Sequence, residues 1–175
     1  MRLLLAALLL PLHVASAQTA IVVRHAEKAS ESARDPALSA SGHARAAALD
    51  SVLAAVPIVA IVVTPYQRTR ETAAVVARRH GLTPIEVPVS GGVPAHARAV
   101  AAEVARHEGT VLVVGHSNTV GAIVAALDGP SDVGDLCDSE YQTLFTVLPG
   151  GGTLRSRFGS GNPDHLPACG EMRGP

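Results

Sequence analysis

Three short apolar runs, alternating with alanine-rich stretches of helical spacing, constrain the fold of this chain most strongly. The runs cover Thr19 to Val23, Pro57 to Val63 and Thr110 to Val114. Apolar runs of this length are typical of strands buried on both faces of a parallel sheet. Helical spacing occurs in four stretches: Ser41 to Val56, Pro65 to His80, Pro94 to His107 and Ser117 to Leu127. This alternation predicts an α/β fold with a mainly parallel central sheet.

Local signals predict where several of these elements begin and end. Thr64 followed by Pro65 predicts an N-cap and first helical residue, Ser117 predicts the N-cap of the last helix, and Gly81 predicts a helix C-terminus. Pro84 to Val89 reads as a further strand. Late in the chain, Leu144 to Leu148 and Leu154 to Phe158 predict a hairpin or two edge strands.

The first residues have the features of a secretory signal peptide. Met1 and Arg2 precede an apolar run from Leu3 to Leu12, and the small residues 15–17 come before Gln18. The run is too short for the roughly 20 apolar residues of a membrane-spanning helix. We therefore expect a leader over residues 1–17 and one domain over 18–175, with an irregular tail from about residue 159. Localisation would be periplasmic or secreted, with no stable membrane insertion after cleavage.

Composition limits the range of partners. The formal net charge is −1 and only 2% of residues are aromatic, so the chain offers neither a strong positive field nor stacking platforms for bases. Nucleic-acid binding is therefore not expected, and the sequence leaves the oligomeric state open. Cys137 and Cys169 are the only two cysteines. In an exported chain they could form one disulfide, with two unpaired thiols as the alternative.

Each of the three apolar runs ends in residues that can perform chemistry. The first leads into Arg24 and His25, the second into Thr64, and the third into His116. Because ligands of parallel sheets bind outside the carboxyl ends of the strands, we expect these residues to meet at one pocket.

The predicted pocket has the composition of an anion site. Arg68 lies four residues after Thr64 and shares its helix face, whereas Arg70 points elsewhere. Arginine binds phosphate oxygens in a bidentate manner, and a neutral imidazole can attack phosphorus. A metal site built from His25, His116 and a further histidine such as His96 is the competing interpretation. Nearby guanidinium groups would oppose that cation, and we expect neither metal nor cofactor.

These motifs resemble those of the histidine phosphatase superfamily, the phosphoglycerate-mutase-like proteins. Residues 22–27, with Arg24 and His25, resemble its Arg-His-Gly signature, and Ala26 stands where glycine is usual. The segments from Thr64 to Thr72 and from Gly115 to Ser117 resemble its second arginine and second histidine motifs.

The resemblance implies a three-layer α/β/α sandwich and a metal-independent phosphatase. In the family scheme His25 becomes transiently phosphorylated, Arg24 and Arg68 bind the phosphoryl group, and His116 completes the pocket and donates a hydrogen bond to it. The family's leaving-group acid is not evident. Glu86 is in the right region, but a solvated carboxylate on a strand edge is the slightly favoured interpretation, and His96 is another weak candidate.

The expected function is hydrolysis of a phosphomonoester or phosphoanhydride through His25. The substrate would be a small phosphorylated molecule or a phosphorylated envelope component. The alternative is a catalytically weak protein of the same fold that binds phosphate or a phosphorylated ligand, which the missing acid makes reasonable.

Overall fold

The computed structural model of the chain describes residues 18–30 and 34–160. Residues 1–17, 31–33 and 161–175 lie outside the described part. The leader over 1–17, the partner cysteine Cys169 and most of the irregular tail fall there. The leader, the domain limits and the disulfide therefore stay predictions.

Strands and helices alternate through most of the described chain. The strands are β1 (Thr19–Arg24), β2 (Ile58–Val63), β3 (Ile85–Glu86), β4 (Thr110–Gly115), β5 (Thr143–Val147) and β6 (Thr153–Arg157). The helices are α1 (Ala40–Val52), α2 (Gln67–His80), α3 (Val93–Val104) and α4 (Val120–Ala126). Every predicted helix is present, although each is shorter than its apolar pattern suggested.

The strands form one six-stranded sheet in the order β3-β2-β4-β1-β5-β6. β3, β2, β4 and β1 run parallel, and β5 and β6 pair antiparallel at one side. The mainly parallel sheet and the late hairpin are therefore as predicted. Arg24 pairs with Gly115 at the carboxyl ends of β1 and β4, so the residues that follow the two strands begin side by side.

Helices cover both faces of this sheet. Val22 and Val113 pack with α3 and α4 in one apolar cluster, whereas Val23 and Val114 pack with α1 and α2 in another. Neighbouring residues on a strand point to opposite faces, which explains why the runs are continuously apolar. The predicted three-layer α/β/α architecture is confirmed.

Two predicted helix starts are wrong because polar side chains make other contacts. α2 begins at Gln67 after Tyr66, and the Thr64 hydroxyl bonds to His116 and Thr69 instead of capping the helix. α4 begins at Val120, and the residue before it is Thr119 rather than Ser117. The C-terminal signal is right, since Gly81 ends α2 with a φ of 65°.

The strand predicted from Pro84 to Val89 is reduced to two paired residues. Ile85 pairs with Val62 and Glu86 with Val63. The prolines on either side lack a backbone N–H and cannot continue the ladder. Within the described ranges, no helix has the length and apolar character needed to cross a bilayer.

Candidate active site

His25 follows β1 directly and lies almost entirely inside the protein, with 4% of its surface exposed. Its Nδ1 donates to the carbonyl oxygen of Ala26 at 2.7 Å, since a carbonyl can only accept. The Ala26 N–H in turn donates to the Thr72 hydroxyl on α2 at 2.9 Å. This arrangement assigns the proton of neutral His25 to Nδ1 and leaves the lone pair on Nε2.

The surroundings keep His25 uncharged at neutral pH. Burial lowers the pKa of His25 to about 4, against the hydrogen bond to Ala26, which raises it. The charges of Arg24, Arg68 and Lys28 lower it further. His25 is therefore available as a nucleophile well below neutral pH.

His116 follows β4 and lies beside His25. The two ring centroids are 5.3 Å apart, at an angle of 65°. Arg68 Nη2 is 3.4 Å from His116 Nδ1, and the Thr64 hydroxyl is 3.0 Å from His116 Nε2. Burial, followed by the charge of Arg68, lowers the pKa of His116 to about 3.

Hydroxyl groups extend this contact network into the protein. Thr64 Oγ1 lies 3.0 Å from Thr69 Oγ1, and Thr69 Oγ1 is 2.8 Å from the carbonyl oxygen of Tyr66. Because arginine only donates, one set of donors and acceptors fits these contacts. Arg68 donates to Nδ1 of His116, Nε2 of His116 donates to Thr64, and the Thr64 hydroxyl donates to Thr69. The residues that follow β1, β2 and β4 thus meet at one place, as their sequence positions suggested.

Arg24 contacts a loop that the sequence did not connect to the site. Its Nη1 donates to the carbonyl oxygens of Cys137, Asp138 and Glu140 at 2.7, 3.0 and 3.2 Å. The guanidinium carbon also lies 4.0 Å above the centre of the Tyr141 ring. Arg24 therefore fixes the segment before β5 beside the histidines, and its role in phosphate binding stays a prediction.

Both tyrosines of the chain lie at this site. The ring of Tyr66 is 5.4 Å from that of His116, and the ring of Tyr141 is 6.2 Å from that of His25. Arg68 lies 4.3 Å from the centre of the Tyr66 ring. The concentration of scarce aromatic residues at one place is a feature that only the folded chain reveals.

Glu86, the candidate acid, lies in an exposed ion pair. Its carboxylate is 3.2 Å from Arg70 Nη1, and 45% of its side chain is exposed. Arg70 also donates to the carbonyl oxygen of Pro65, so it points away from the histidines, as the helical spacing suggested. None of the contacts described for Glu86 joins it to His25 or His116, and its catalytic role stays a prediction.

Asp35, which no sequence motif indicates, lies beside Arg68. Its Oδ1 accepts from the backbone N–H of Gln67 at 2.8 Å and is 3.7 Å from Arg68 Nη1. The carboxylate thus supplies an acceptor at the start of α2, where Tyr66 makes no side-chain cap. Its position could not be read from sequence, because 31 residues of chain separate Asp35 from Gln67.

The described part of the chain contains no ligand cluster of the kind that the competing metal interpretation requires. Nowhere between residues 18 and 30 or 34 and 160 do three histidine, cysteine or acidic side chains come together in a way that could hold a metal ion. His96 is buried, and its Nδ1 donates to the carbonyl oxygen of Pro88 at 3.1 Å.

Comparisons with known proteins agree with the resemblance seen in the motifs. The family model for the histidine phosphatase superfamily (branch 1) matches residues 20–89. No curated protein matches the chain by sequence. A putative phosphohistidine phosphatase SixA from Nakamurella multipartitia is similar in structure, with a TM-score of 0.55 and 24% identity over 82% of this chain and 96% of that one.

Two further structures share the fold. A protein histidine phosphatase SixA complexed with tungstate has a TM-score of 0.62 and 20% identity, covering 80% of this chain and 95% of that chain. A mycobacterial glucosyl-3-phosphoglycerate phosphatase with inorganic phosphate has a TM-score of 0.58 and 18% identity, covering 74% of this chain and 88% of that chain. The fold is therefore phosphoglycerate-mutase-like, and the match over residues 20–89 supports a place for this chain in the histidine phosphatase superfamily.

Proposed function

We propose that this protein is a phosphohydrolase that transfers a phosphoryl group to His25 and then to water. One observation carries the proposal: His25 is buried and uncharged, its Nδ1 proton is bound by the Ala26 carbonyl, and the lone pair of its Nε2 is left free. A histidine with only a structural role would not need two arginines and a second uncharged histidine around it.

The first step follows from the positions of these groups. Nε2 of His25 attacks phosphorus while the bond from phosphorus to the leaving oxygen breaks, and the leaving group departs with that electron pair. Arg68 and Arg24 stabilise the negative charge on the transferring phosphoryl oxygens. Their charges both act on His25, which supports this role. The charge is thus neutralised by side chains, so the reaction is proposed to be independent of metal ions.

The leaving group decides which substrates this site can use. With no acid evident beside the histidines, a substrate whose leaving group needs no proton is favoured, such as an aryl phosphate or a phosphoanhydride. The similar structures are phosphatases of phosphohistidine and of glucosyl-3-phosphoglycerate, which supports a phosphorylated substrate but does not choose between classes. A small phosphorylated molecule or a phosphorylated envelope component remains our proposal.

The second candidate is a phosphate-binding protein with little turnover. The leaving-group acid proposed from sequence, Glu86, is paired with Arg70 rather than with the site, which is the observation in its favour. The two candidates differ in one property, since only the enzyme requires His25 Nε2 as a nucleophile.

An aryl phosphate assay separates the two candidates. We expect His25→Ala to abolish turnover, because no other group of the site takes the phosphoryl group. His43→Ala is the matched control, since His43 is exposed on α1 and should leave the rate unchanged. Equal slow rates in the wild type and His25→Ala, together with stabilisation of both by inorganic phosphate, would support the binding protein instead.

A further inference from the structure

The proposed function does not say which group accepts the proton of the attacking water. When water attacks the phosphorus of phosphorylated His25, it must lose a proton as the new P–O bond forms. A carboxylate beside the phosphoryl site is a suitable base for that proton. The inference below rests on the proposed function and concerns this second step only.

Most carboxylates near the site are held by other contacts. Glu27 binds Arg45 through both oxygens, with distances between 2.6 and 2.9 Å. Glu71 accepts from the Leu38 N–H and from Gln67 Nε2, each at 2.7 Å. Glu140 is buried and binds Arg155 at 2.6 Å. These contacts hold the scaffold together.

Asp35 differs because its partner is itself a residue of the site. One terminal nitrogen of Arg68, Nη1, is 3.7 Å from Asp35 Oδ1, and the other, Nη2, is 3.4 Å from His116 Nδ1. A single guanidinium therefore joins Asp35 to the histidine pair. A phosphoryl group bound by Arg68 would lie beside the carboxylate.

Asp35 is more accessible to solvent than the two histidines. Its side chain is 40% exposed, whereas His25 and His116 are 4% and 7% exposed. An ionised carboxylate can accept a proton but has none to donate. These features suit the base of the second step rather than the acid of the first.

The loop that carries Asp35 is tied to the helix that carries Arg68. Lys28 and Leu38 pair in an antiparallel bridge at the base of this loop. Leu38 donates to Glu71 on α2, and Asp35 accepts from Gln67 at the start of the same helix. Asp35 and Arg68 therefore have a common support, which fixes the carboxylate beside the guanidinium.

We propose that Asp35 is the general base that activates water to hydrolyse phosphorylated His25. The water oxygen forms a bond to phosphorus, and the bond from phosphorus to His25 Nε2 breaks with its electron pair returning to Nε2. The water proton passes to the Asp35 carboxylate, and inorganic phosphate leaves. Release of that proton to solvent restores the starting enzyme.

Asp35→Asn tests the assignment in the full chain with an aryl phosphate. The amide oxygen of asparagine can still accept from the Gln67 N–H, but it cannot take the water proton. We expect the burst of aryl alcohol in the first turnover to keep its rate. Steady-state turnover should fall about 100-fold or more, which is typical of losing a general base. Phosphorylated enzyme should therefore accumulate, detected under alkaline conditions that preserve phosphohistidine.

Glu71→Gln is the matched control, since it alters a second carboxylate that anchors the same loop and should produce no accumulation. Equal slowing of burst and steady state in Asp35→Asn would assign the residue to holding Arg68 and overturn the proposed base. Unchanged turnover without accumulation would overturn it as well. If the wild type forms no phosphorylated enzyme and its rate equals that of His25→Ala, the proposed function fails together with the inference on Asp35. A burst that needs His25, combined with steady-state turnover that does not need Asp35, rejects only the inference.

Discussion

His25 and His116 are kept uncharged by shared surroundings, and this decides which of them can act as nucleophile. Burial contributes most to the lowered pKa of each ring. Their hydrogen bonds differ. Nδ1 of His25 is bound by a backbone carbonyl, whereas Nδ1 and Nε2 of His116 contact Arg68 and Thr64. Of the two, only His25 presents an uncommitted ring nitrogen, and the predicted hydrogen bond from His116 to a phosphoryl group stays a prediction.

The pH dependence of activity should reflect the lowered pKa of His25. Because that pKa is about 4 in the free protein, the ring stays neutral as the pH falls from 7 and becomes protonated only near pH 4. We expect kcat/KM for an aryl phosphate to decline on the acid side near pH 4, after correction for the second ionisation of the phosphate at about 6. A decline centred near the ordinary histidine pKa of about 6.5 would contradict the burial argument.

The same shifts predict how stability changes with pH. A histidine with a lowered pKa in the folded state binds its proton more readily when unfolded, so acidification favours unfolding. The free energy of unfolding should therefore fall as the pH drops from about 6.5 towards 4. Denaturant titrations over this range supply the control for the activity profile, since they show where the enzyme is still folded.

Residues that directly follow the strands could be predicted from sequence, whereas residues brought in by loops could not. His25, Thr64 and His116 follow strands whose apolar character is plain in the sequence, and Arg68 follows from helical spacing. Asp35 and Tyr141 reach the site only through the paths of irregular segments, which no periodic pattern encodes. The pairing of Glu86 with Arg70 likewise depends on how the short β3 lies against α2.

At the scale of elements, two glycines have different roles at helix ends. Gly42 lies in the first turn of α1, where a Cβ would clash with the carbonyl oxygen of Glu27, two residues after His25. Gly81 ends α2 with a positive φ, and a Cβ there would meet no atom within 4 Å. Gly42 therefore permits a close approach, whereas Gly81 permits a backbone conformation.

Alanine at the two positions should separate activity from stability. We expect Gly42→Ala to displace the segment after His25 and to lower kcat/KM by up to about 100-fold, because small displacements of reacting groups are costly. Gly81→Ala should cost about 1 kcal/mol of unfolding free energy through strain alone and leave kcat/KM unchanged. Steady-state kinetics and denaturant titrations of both variants measure this. Equal activities for the two variants would show that α1 does not position His25.

Element types were predictable from sequence because the apolar periodicity is strong, but the starts of α2 and α4 were not. Thr64 has the residue type of a cap, yet its hydroxyl is 3.0 Å from His116 Nε2. Asp35, distant in sequence, binds the first helical N–H in its place. Where a polar side chain belongs to the site, its local capping preference gives way to the tertiary contact.

At the scale of the whole molecule, the segment before β5 connects β1 and His25 to the last described residues of the chain. Arg24 donates to the carbonyl oxygens of three of its residues, and Phe158 donates from its backbone N–H to the Gln142 carbonyl at 2.9 Å. Arg45 of α1 donates to the carbonyl oxygen of Phe158. A constraint on Cys137 would therefore act on both the site and the end of the described chain.

The predicted bridge between Cys137 and Cys169 would provide that constraint. By the chain-entropy model, closing a loop of roughly thirty residues contributes about 3 to 4 kcal/mol of unfolding free energy. We expect thiol alkylation to label neither cysteine before reduction and both after it, as read by mass spectrometry of the denatured chain. Reduction should lower the free energy of unfolding by about that amount. It should also lower kcat/KM, because the Cys137 carbonyl helps to hold Arg24. The variant with serine at both positions should not respond to reductant. Labelling of both thiols without reduction would disprove the bridge, and full activity after reduction would show that Arg24 does not depend on it.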